Sequence, residues 1–349
     1  MNIEYYPWSK AVLKESIEMH KQRLIPTLDL ELTSKCSGAC CIYCDSKPEV
    51  CVKGQLGETQ FPEIKKLILD AKKYGLKWMY TCGLGEPFED GKFWDIVHLL
   101  KANHIYLSIF SNGVFIKDIY TAKELKNHNV NIILKMDTFD ESKFDIILGK
   151  KGTAQKIYAA RDYLLAAGYG VKDGFTNLAF SIVPTSLSIE GIPSVIEYCQ
   201  KNGIFASIGE LEQAGEVINN KLSNSLSITS EEAINLKELA NTYANGTYMR
   251  PICPCILTGL HIDNFGNCIV DRDTGLNCKW FLLKDPQTVK VGNIKSEGVH
   301  ELLNSVNEYR KNCFNTKNEL IKSLLNVNYV FGGCGGNPKD IIILAKSIC

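Results

Sequence analysis

The sequence has no net charge and no long apolar run. Its 349 residues carry 39 Lys plus Arg against 39 Asp plus Glu, without a basic stripe. Because binding to nucleic acid or to anionic lipid depends on clustered Lys and Arg, the composition argues against both kinds of partner. No stretch approaches the ~20 apolar residues that span a bilayer, and the first residues do not form a secretion signal. We therefore expect a soluble, cytoplasmic protein.

Cysteine, by contrast, is abundant and unevenly distributed. Of the 14 cysteines, five lie within residues 36–51 and seven within residues 253–349, and only two lie in the long stretch between. Disulfides are uncommon in the cytoplasm, where grouped cysteines more often bind metal or take part in catalysis. The distribution indicates two sulfur-rich zones separated by a sulfur-poor body.

That body alternates between apolar, β-compatible runs and helix-like stretches. The predicted strands lie at 27–33, 76–82, 105–111, 130–136, 177–183 and 204–209. Six β–α units of this kind need about 180 residues in all, whereas a closed barrel of eight needs ~250. The pattern predicts an α/β fold, a partial (β/α)6 barrel with a small cysteine-rich α+β extension at its C-terminal end.

The strand pattern and the cysteine distribution predict four parts of the chain. Residues 1–26 are predicted to contain an N-terminal helix, and residues 27–218 the barrel. Residues 219–252 read as a linker followed by a helix, because Asn and Ser are frequent before an amphipathic stretch that begins near Ser230. Residues 253–349 form the cysteine-rich extension.

The first cysteine zone follows the first predicted strand. The segment T-S-K-C-S-G-A-C-C-I-Y-C places Cys36, Cys40, Cys41 and Cys44 in the first β–α loop. Parallel sheets build their sites at the C-terminal edge of the strands, which is where this loop lies. Closely spaced thiolates suit a soft metal, so both an iron–sulfur cluster and a zinc ion fit the composition.

This loop resembles the cluster-binding loop of radical S-adenosylmethionine (radical SAM) enzymes. The family pattern is Cys-x3-Cys-x2-Cys with an aromatic residue just before the last cysteine. Reading the loop as Cys36-x4-Cys41-x2-Cys44 keeps the aromatic residue, Tyr43, and lengthens the first gap by one residue. Cys40, which has the usual x3 spacing from Cys36, is the alternative second ligand.

Three later segments resemble further motifs of that family, in the same order and at successive strand ends. The turn C-G-L-G-E-P (82–87) is similar to its Gly-Gly-Glu-Pro turn, S-N-G (111–113) to its Ser/Thr-Asn-Gly, and the Asp after the fourth strand to its Leu-Asp-Ser. Glycine lets backbone approach a ligand, and a carboxylate or carbonyl can accept from the ammonium of SAM. The resemblance implies a cofactor-binding set of Tyr43, Gly83, Gly85, Glu86, Ser111, Asn112 and Asp137.

The resemblance also implies an activity. A [4Fe–4S] cluster held by three thiolates leaves one iron open to chelate SAM, and an external flavodoxin or ferredoxin supplies one electron. The resulting 5′-deoxyadenosyl radical abstracts hydrogen from an unactivated carbon of a peptide or small natural-product substrate. The alternative is a non-catalytic iron–sulfur or zinc protein, an electron carrier or regulator on the same scaffold. No catalytic side chain is assigned.

The second cysteine zone resembles the SPASM and twitch extensions of radical SAM enzymes, which hold auxiliary clusters. Ten residues separate Cys255 from Gly266 in the hairpin-like D-N-F-G, and V-G-N-I follows at 291–294. The match is divergent, because Cys268 follows that glycine too closely and the later cysteine run of the family is absent. The resemblance implies one auxiliary [4Fe–4S] cluster, on Cys255, Cys268, Cys278 and Cys334, that assists oxidation, crosslinking or epimerisation. Buried apolar thiols or a small zinc site are the alternatives.

Overall fold

A nine-stranded sheet forms the centre of the computed structural model, which describes residues 4–44, 53–211, 215–244, 254–277, 288–316 and 343–345. The strands are β1 (Glu4–Tyr5), β2 (Thr27–Leu30), β3 (Trp78–Thr81), β4 (Tyr106–Ser111), β5 (Val130–Lys135), β6 (Val171–Lys172), β7 (Phe175–Thr176), β8 (Leu178–Ile182), β9 (Phe205–Ile208), β10 (Gly259–Ile262), β11 (Asn267–Asp271) and β12 (Thr288–Asn293). Strands β1, β7 and β6 make a separate small sheet.

Six neighbouring strands confirm the predicted partial barrel. They lie in the order β2-β3-β4-β5-β8-β9, and every neighbouring pair is parallel. Each lies within a run predicted from the sequence, because parallel strands covered on both faces read as short continuous apolar segments.

Helices alternate with these strands, and most of them pack on the outer face of the sheet. They are α1 (Lys10–Lys21), α2 (Phe61–Lys73), α3 (Phe93–Ala102), α4 (Ile119–Asn127), α5 (Glu141–Ile147), α6 (Thr153–Ala166), α7 (Ile192–Asn202), α8 (Gly215–Asn219), α9 (Ser223–Leu226), α10 (Ser230–Ala244), α11 (Cys255–Thr258) and α12 (Val299–Thr316). Within the described ranges, no helix is both long and apolar enough to cross a bilayer. The predicted loop at 219–230 contains α9, whose Leu226 is buried.

The two faces of the sheet bury different sets of side chains. Successive strand residues alternate between faces, so Leu107, Ile132 and their neighbours on one face pack against the helices in the main apolar core. The other face lines the inside of the barrel, where Tyr80 and Phe205 meet Tyr5 from the N-terminal segment in a second apolar cluster. The inner face therefore has a packed lower part and an open end near the strand C-termini.

The C-terminal strands continue the barrel sheet, a pairing that the sequence analysis did not predict. Strand β10 lies parallel to β2, and β11 and β12 follow in antiparallel order. The close approach requires glycine at the start of β10, since a Cβ on Gly259 would lie 2.0 Å from the carbonyl oxygen of Thr27. Residues 263–266 form the turn between β10 and β11, as the hairpin-like D-N-F-G predicted, and β12 leads into α12.

Candidate cofactor-binding site

A cavity of ≈ 280 Å³ lies at the C-terminal edge of the barrel. All six barrel strands, or the loops that follow them, contribute residues to its wall. This is the edge at which parallel sheets bind ligands, because the loops that carry variable side chains converge there. The four segments that resemble radical SAM motifs, namely the cysteine loop and the ends of β3, β4 and β5, meet at this edge.

Three of the four cysteines in the first loop face the cavity. Cys36, Cys41 and Cys44 line it, whereas Cys40 does not belong to its lining. The backbone N–H of Cys40 donates to the carbonyl of Leu148 at 2.9 Å. The carbonyl of Cys40 packs so closely on Gly149 that a Cβ there would lie 2.1 Å from it. The loop is thus anchored through Cys40 and presents its three neighbours to the cavity.

The environment of these thiols favours a bound cation. Burial raises the pKa of Cys36, and the nearby Glu86 carboxylate and Cys41 thiol raise it further. Burial also raises the pKa of Cys41, although the ammonium of Lys135 opposes this effect. Thiolates in such a place need a metal to stabilise their charge, since a coordinated thiol is deprotonated by the metal itself. The donor set therefore fits a cationic iron–sulfur group held by thiolates.

A single metal ion does not match the same geometry. Within the described part of the chain, no three His, Cys, Asp or Glu side chains converge closely enough to hold one ion. A zinc ion requires ligands at about 2.0–2.3 Å from one point. A cluster of several iron and sulfide ions is larger, so its ligands lie further apart.

Glu86 joins the turn after β3 to the end of β4. Its carboxylate accepts hydrogen bonds from the Ser111 hydroxyl at 2.8 Å and from the backbone N–H of Asn112 at 2.8 Å. Burial raises the pKa of Glu86 to about 7, against the effect of these two hydrogen bonds. Both carboxylate oxygens are therefore engaged by the protein, and the carboxylate holds two cavity-lining segments together.

The Asn112 side chain reaches the cysteine loop. Its Nδ2 donates to the sulfur of Cys36 at 3.5 Å, and its Oδ1 accepts from the backbone N–H of Val114 at 2.9 Å. Ser111 also accepts from the backbone N–H of Gly113 at 2.9 Å. Ser111 and Asn112 line the cavity, as the resemblance implied, while most of their polar atoms order the site itself.

The turn after β3 packs against the cysteine loop through its glycines. A Cβ on Gly85 would lie 2.1 Å from the carbonyl oxygen of Thr33 and 2.8 Å from that of Lys35. A Cβ on Gly83 would lie 2.8 Å from Cγ of Glu31. These glycines permit close backbone contact, and both line the cavity.

Asp137 lies behind the cavity wall rather than in it. The side chain is fully buried, and Oδ2 accepts from the Tyr43 hydroxyl at 2.5 Å and from Lys135 at 2.9 Å. Its Oδ1 accepts from the backbone N–H of Val183 at 2.9 Å. The structure therefore places Asp137 as the support of Tyr43 and Lys135, which do line the cavity.

Lys135 was missed by the sequence analysis. Its ammonium contacts the Tyr43 hydroxyl and lies 4.3 Å from the centre of the Tyr43 ring. Burial alone lowers the pKa of Lys135, but the charges of Asp137 and Cys41 outweigh burial and raise the pKa. A cation is thus held next to the cysteine loop. The alternation in V-N-I-I-L-K-M could have placed Lys135 on the inner face with Ile133.

Further lining residues come from the other strands. Cys82 lines the cavity, whereas Cys199 is a fully buried thiol in α7. The other lining residues that the sequence analysis did not select for the cofactor site are Leu84, Phe110, Ile133, Ser181, Val183 and Glu210. The wall is therefore apolar in part, which suits a ligand that must be shielded from water.

The structure does not bring together the two described cysteines of the predicted auxiliary cluster. Cys255 begins α11 before β10 and packs in the inner cluster, whereas Cys268 pairs with Ile262 at the far end of β10 and packs in the main core. They lie at opposite ends of one strand, and their side chains belong to different apolar clusters. Cys278 and Cys334 lie outside the described residues.

The C-terminal hairpin is attached to the cysteine loop through Glu58. Its carboxylate accepts from the Ser34 hydroxyl at 2.7 Å and from Asn264 Nδ2 at 3.0 Å. Asn264 lies in the turn between β10 and β11, and Ser34 lies two residues before Cys36. The hairpin thus stabilises the segment that leads into the cavity.

Several characterised proteins are related to this chain in sequence. The chain is 27% identical over 190 residues to a tungsten-containing aldehyde ferredoxin oxidoreductase cofactor-modifying protein of Pyrococcus furiosus, covering 52% of this chain and 50% of that protein. It is 25% identical over 188 residues to the mycofactocin maturase MftC of Mycolicibacterium smegmatis, covering 54% and 45%. The chain spans about half the length of these curated relatives. No family model matches the chain.

Solved structures share the fold. Streptococcus suis SuiB bound to its precursor peptide SuiA superposes with a TM-score of 0.54 at 15% identity, covering 88% of this chain and 70% of that one. Native anSMEcpe with bound AdoMet superposes with a TM-score of 0.53 at 19% identity, covering 82% and 83%. These relatives and neighbours are radical SAM enzymes, so the resemblance drawn from the four motifs is confirmed.

Proposed function

We propose that this chain, a homologue of the radical SAM enzymes in sequence and fold, binds a [4Fe–4S] cluster and SAM and abstracts hydrogen from an organic substrate. The observation that carries the proposal is the convergence of Cys36, Cys41 and Cys44 on one cavity that the Gly83–Glu86 turn and the Ser111–Asn112 segment complete. Three thiols are one fewer than a cluster with four protein ligands requires, which leaves one iron open to a ligand.

Within this proposal, the cluster ligands are Cys36, Cys41 and Cys44. Cys41 is preferred to Cys40 because Cys41 lines the cavity and Cys40 is bound through its backbone to Leu148 and Gly149. Within this proposal, the additional residue between Cys36 and Cys41 is Cys40, which anchors the loop to the segment after α5.

The cluster and SAM together supply a 5′-deoxyadenosyl radical, and the protein supplies binding and orientation. Asn112 orders Cys36, and Glu86 holds the turn that would face SAM with its backbone carbonyls. Lys135 places a cation in the cavity wall, suited to a carboxylate group. Phe110, Ile133 and Val183 provide an apolar wall that excludes water from the reacting carbon.

For the substrate, we propose a peptide. Support comes from SuiB, which was solved with its precursor peptide SuiA and shares this fold over most of the present chain. The proposed electron source is a protein of the flavodoxin or ferredoxin type, because the cluster must receive one electron for each cleavage of SAM.

The direct test is anaerobic reconstitution with iron and sulfide, followed by incubation with SAM and dithionite. We expect 5′-deoxyadenosine by mass spectrometry from the wild type and none above background from C44A. A fully iron-loaded wild type that releases no 5′-deoxyadenosine would contradict the proposal and would favour an electron carrier or regulator instead.

An auxiliary cluster in the C-terminal extension stays a prediction. The resemblance assigns it to Cys255, Cys268, Cys278 and Cys334. Iron content distinguishes the cases, since one [4Fe–4S] cluster gives about four irons per chain and two give about eight. The triple variant C36A/C41A/C44A should then retain about four irons if the auxiliary cluster exists.

A further inference from the structure

A buried histidine from the C-terminal hairpin lies between two carboxylates beneath the cavity. Asp29 and Glu31 project from β2 and from the residues directly after it, and the parallel register of β2 with β10 places His261 beside Asp29. His261 Nε2 lies 3.4 Å from Oε1 of Glu31, and Nδ1 lies 3.7 Å from Oδ2 of Asp29. None of the three side chains is more than 7% exposed.

This arrangement brings two acids close together in a place shielded from water. Buried carboxylates repel each other when both are ionised, and a cation between them offsets both the repulsion and the loss of hydration. The imidazole of His261, which is a cation when protonated, occupies that position. Removing one partner of such a set leaves an uncompensated buried charge, which is the costly outcome.

Both carboxylates also contact the turn that lines the cavity. Oδ1 of Asp29 accepts from the backbone N–H of Cys82 at 3.2 Å. Glu31 packs under Gly83, where an added Cβ would lie 2.8 Å from Cγ of Glu31. Cys82 and Gly83 begin the turn that ends at Glu86, so a shift of either acid moves the backbone that faces the cavity.

We infer that His261 is a positioning residue for SAM binding. It balances the charges of Asp29 and Glu31 so that these acids hold the backbone at Cys82 and Gly83 in the conformation that accepts the cofactor. The C-terminal hairpin thereby completes the cofactor site of the barrel, although His261 itself lies below the cavity wall. This inference rests on the proposed function, because it assigns SAM to that cavity.

The test measures SAM affinity on the reconstituted full chain. The electron paramagnetic resonance spectrum of the reduced cluster is recorded at increasing SAM concentration for the wild type, H261Q and the control H20Q. His20 is also buried, but it lies in α1, which precedes the barrel in the sequence, and near Arg310. We expect H261Q to need at least about 10-fold more SAM for the half-maximal spectral change, since a small misplacement of a binding segment has a large effect.

The readouts separate positioning from a general loss of structure. H261Q should keep the melting temperature and the iron content of H20Q while its SAM affinity falls. The triple variant D29N/E31Q/H261Q has no buried charge left to balance, so we expect its SAM affinity to return to within about 3-fold of the wild type, a difference of under 1 kcal/mol. The triple variant also tests the inference if H261Q does not fold.

The possible failures are distinguishable. If the wild-type spectrum does not respond to SAM at all, the proposed function is wrong. If the wild type responds and H261Q responds at the same SAM concentration, the inference about His261 is wrong while the proposed function stands. A triple variant that binds SAM as weakly as H261Q would overturn the charge balance between His261 and the two acids.

Discussion

The Glu86 carboxylate and the Ser111 hydroxyl form a buried hydrogen bond of 2.8 Å between the turn after β3 and the end of β4. The resemblance implied that each residue would contact the cofactor directly. In the structure they also contact each other, so the two motifs form one unit at the cavity edge. Their spacing in the sequence is 25 residues, and the parallel pairing of β3 with β4 brings them together.

Replacing Ser111 should weaken this unit. In S111A the buried carboxylate loses a donor, and the backbone N–H of Gly113 loses its acceptor. We expect the free energy of unfolding to fall by about 2 kcal/mol, measured by urea unfolding of the metal-free protein. The variant S111T keeps the hydroxyl and serves as the control. Equal losses in S111A and S111T would show that side-chain shape, and not the hydrogen bond, is responsible.

The cysteine loop gives a second prediction. We expect C36A, C41A and C44A each to lose the reconstituted cluster, because each removes a ligand that faces the cavity, and C40A to retain it. Iron content and the visible absorbance of the anaerobic protein measure this directly. If C40A loses the cluster while C41A keeps it, the loop uses the Cys36-x3-Cys40 spacing and the anchoring role given to Cys40 is wrong.

Gly85 and Gly91 form a matched pair for a third prediction. A methyl group on Gly85 would collide with the carbonyl oxygen of Thr33 at 2.1 Å, whereas one on Gly91 meets nothing within 4 Å. G85A should therefore separate the turn from the cysteine loop and lower 5′-deoxyadenosine formation at least about 10-fold, as expected for a displaced binding segment. G91A should retain wild-type activity. Similar activities for both variants would show that the turn tolerates displacement.

His20 supplies a prediction about pH. Burial and, to a smaller extent, the nearby charge of Arg310 lower the pKa of His20 to about 4. Below about pH 6.5 the unfolded chain binds a proton at this histidine that the folded chain does not bind, so stability falls as the pH falls from about 6.5 to about 4. Between these limits the wild type should lose up to about 3 kcal/mol more than H20Q.

Urea unfolding of the metal-free protein at pH 7.5, 6, 5 and 4.5 measures the difference between wild type and H20Q at each pH. The constant cost of the substitution cancels in this comparison, as does the titration of all other groups. A difference that does not change with pH would mean that His20 titrates alike in the folded and unfolded chains.

The barrel strands and most helices followed from the sequence because their signals are local. Runs such as 130–136 combine apolar, β-compatible residues with flanking turn residues, and α7 ends at Gly203, whose positive φ of 64° suits glycine. Helix α5, with seven residues, is too short to carry a clear periodic pattern. Local pattern therefore predicts element type well where elements are long.

The pairing of strands that are distant in the sequence could not be predicted from local patterns. The register of β10 against β2 joins residues more than 200 positions apart, and it alone explains why His261 meets Asp29. The resemblance assigned Asp137 to the cofactor, and in the structure its buried carboxylate contacts Tyr43 and Lys135. Spacing indicated the segments that form the site, while packing decides which side chains face the cavity.

The central claim is that three thiolates near the N-terminus leave one iron open to SAM. Electron–nuclear double resonance on the reduced, reconstituted protein with SAM labelled with ¹⁵N at its amino group and ¹³C at its carboxylate tests this most directly. The account predicts hyperfine coupling from both labels, since both groups bind the open iron. A fully loaded cluster that shows neither coupling at saturating SAM would contradict it.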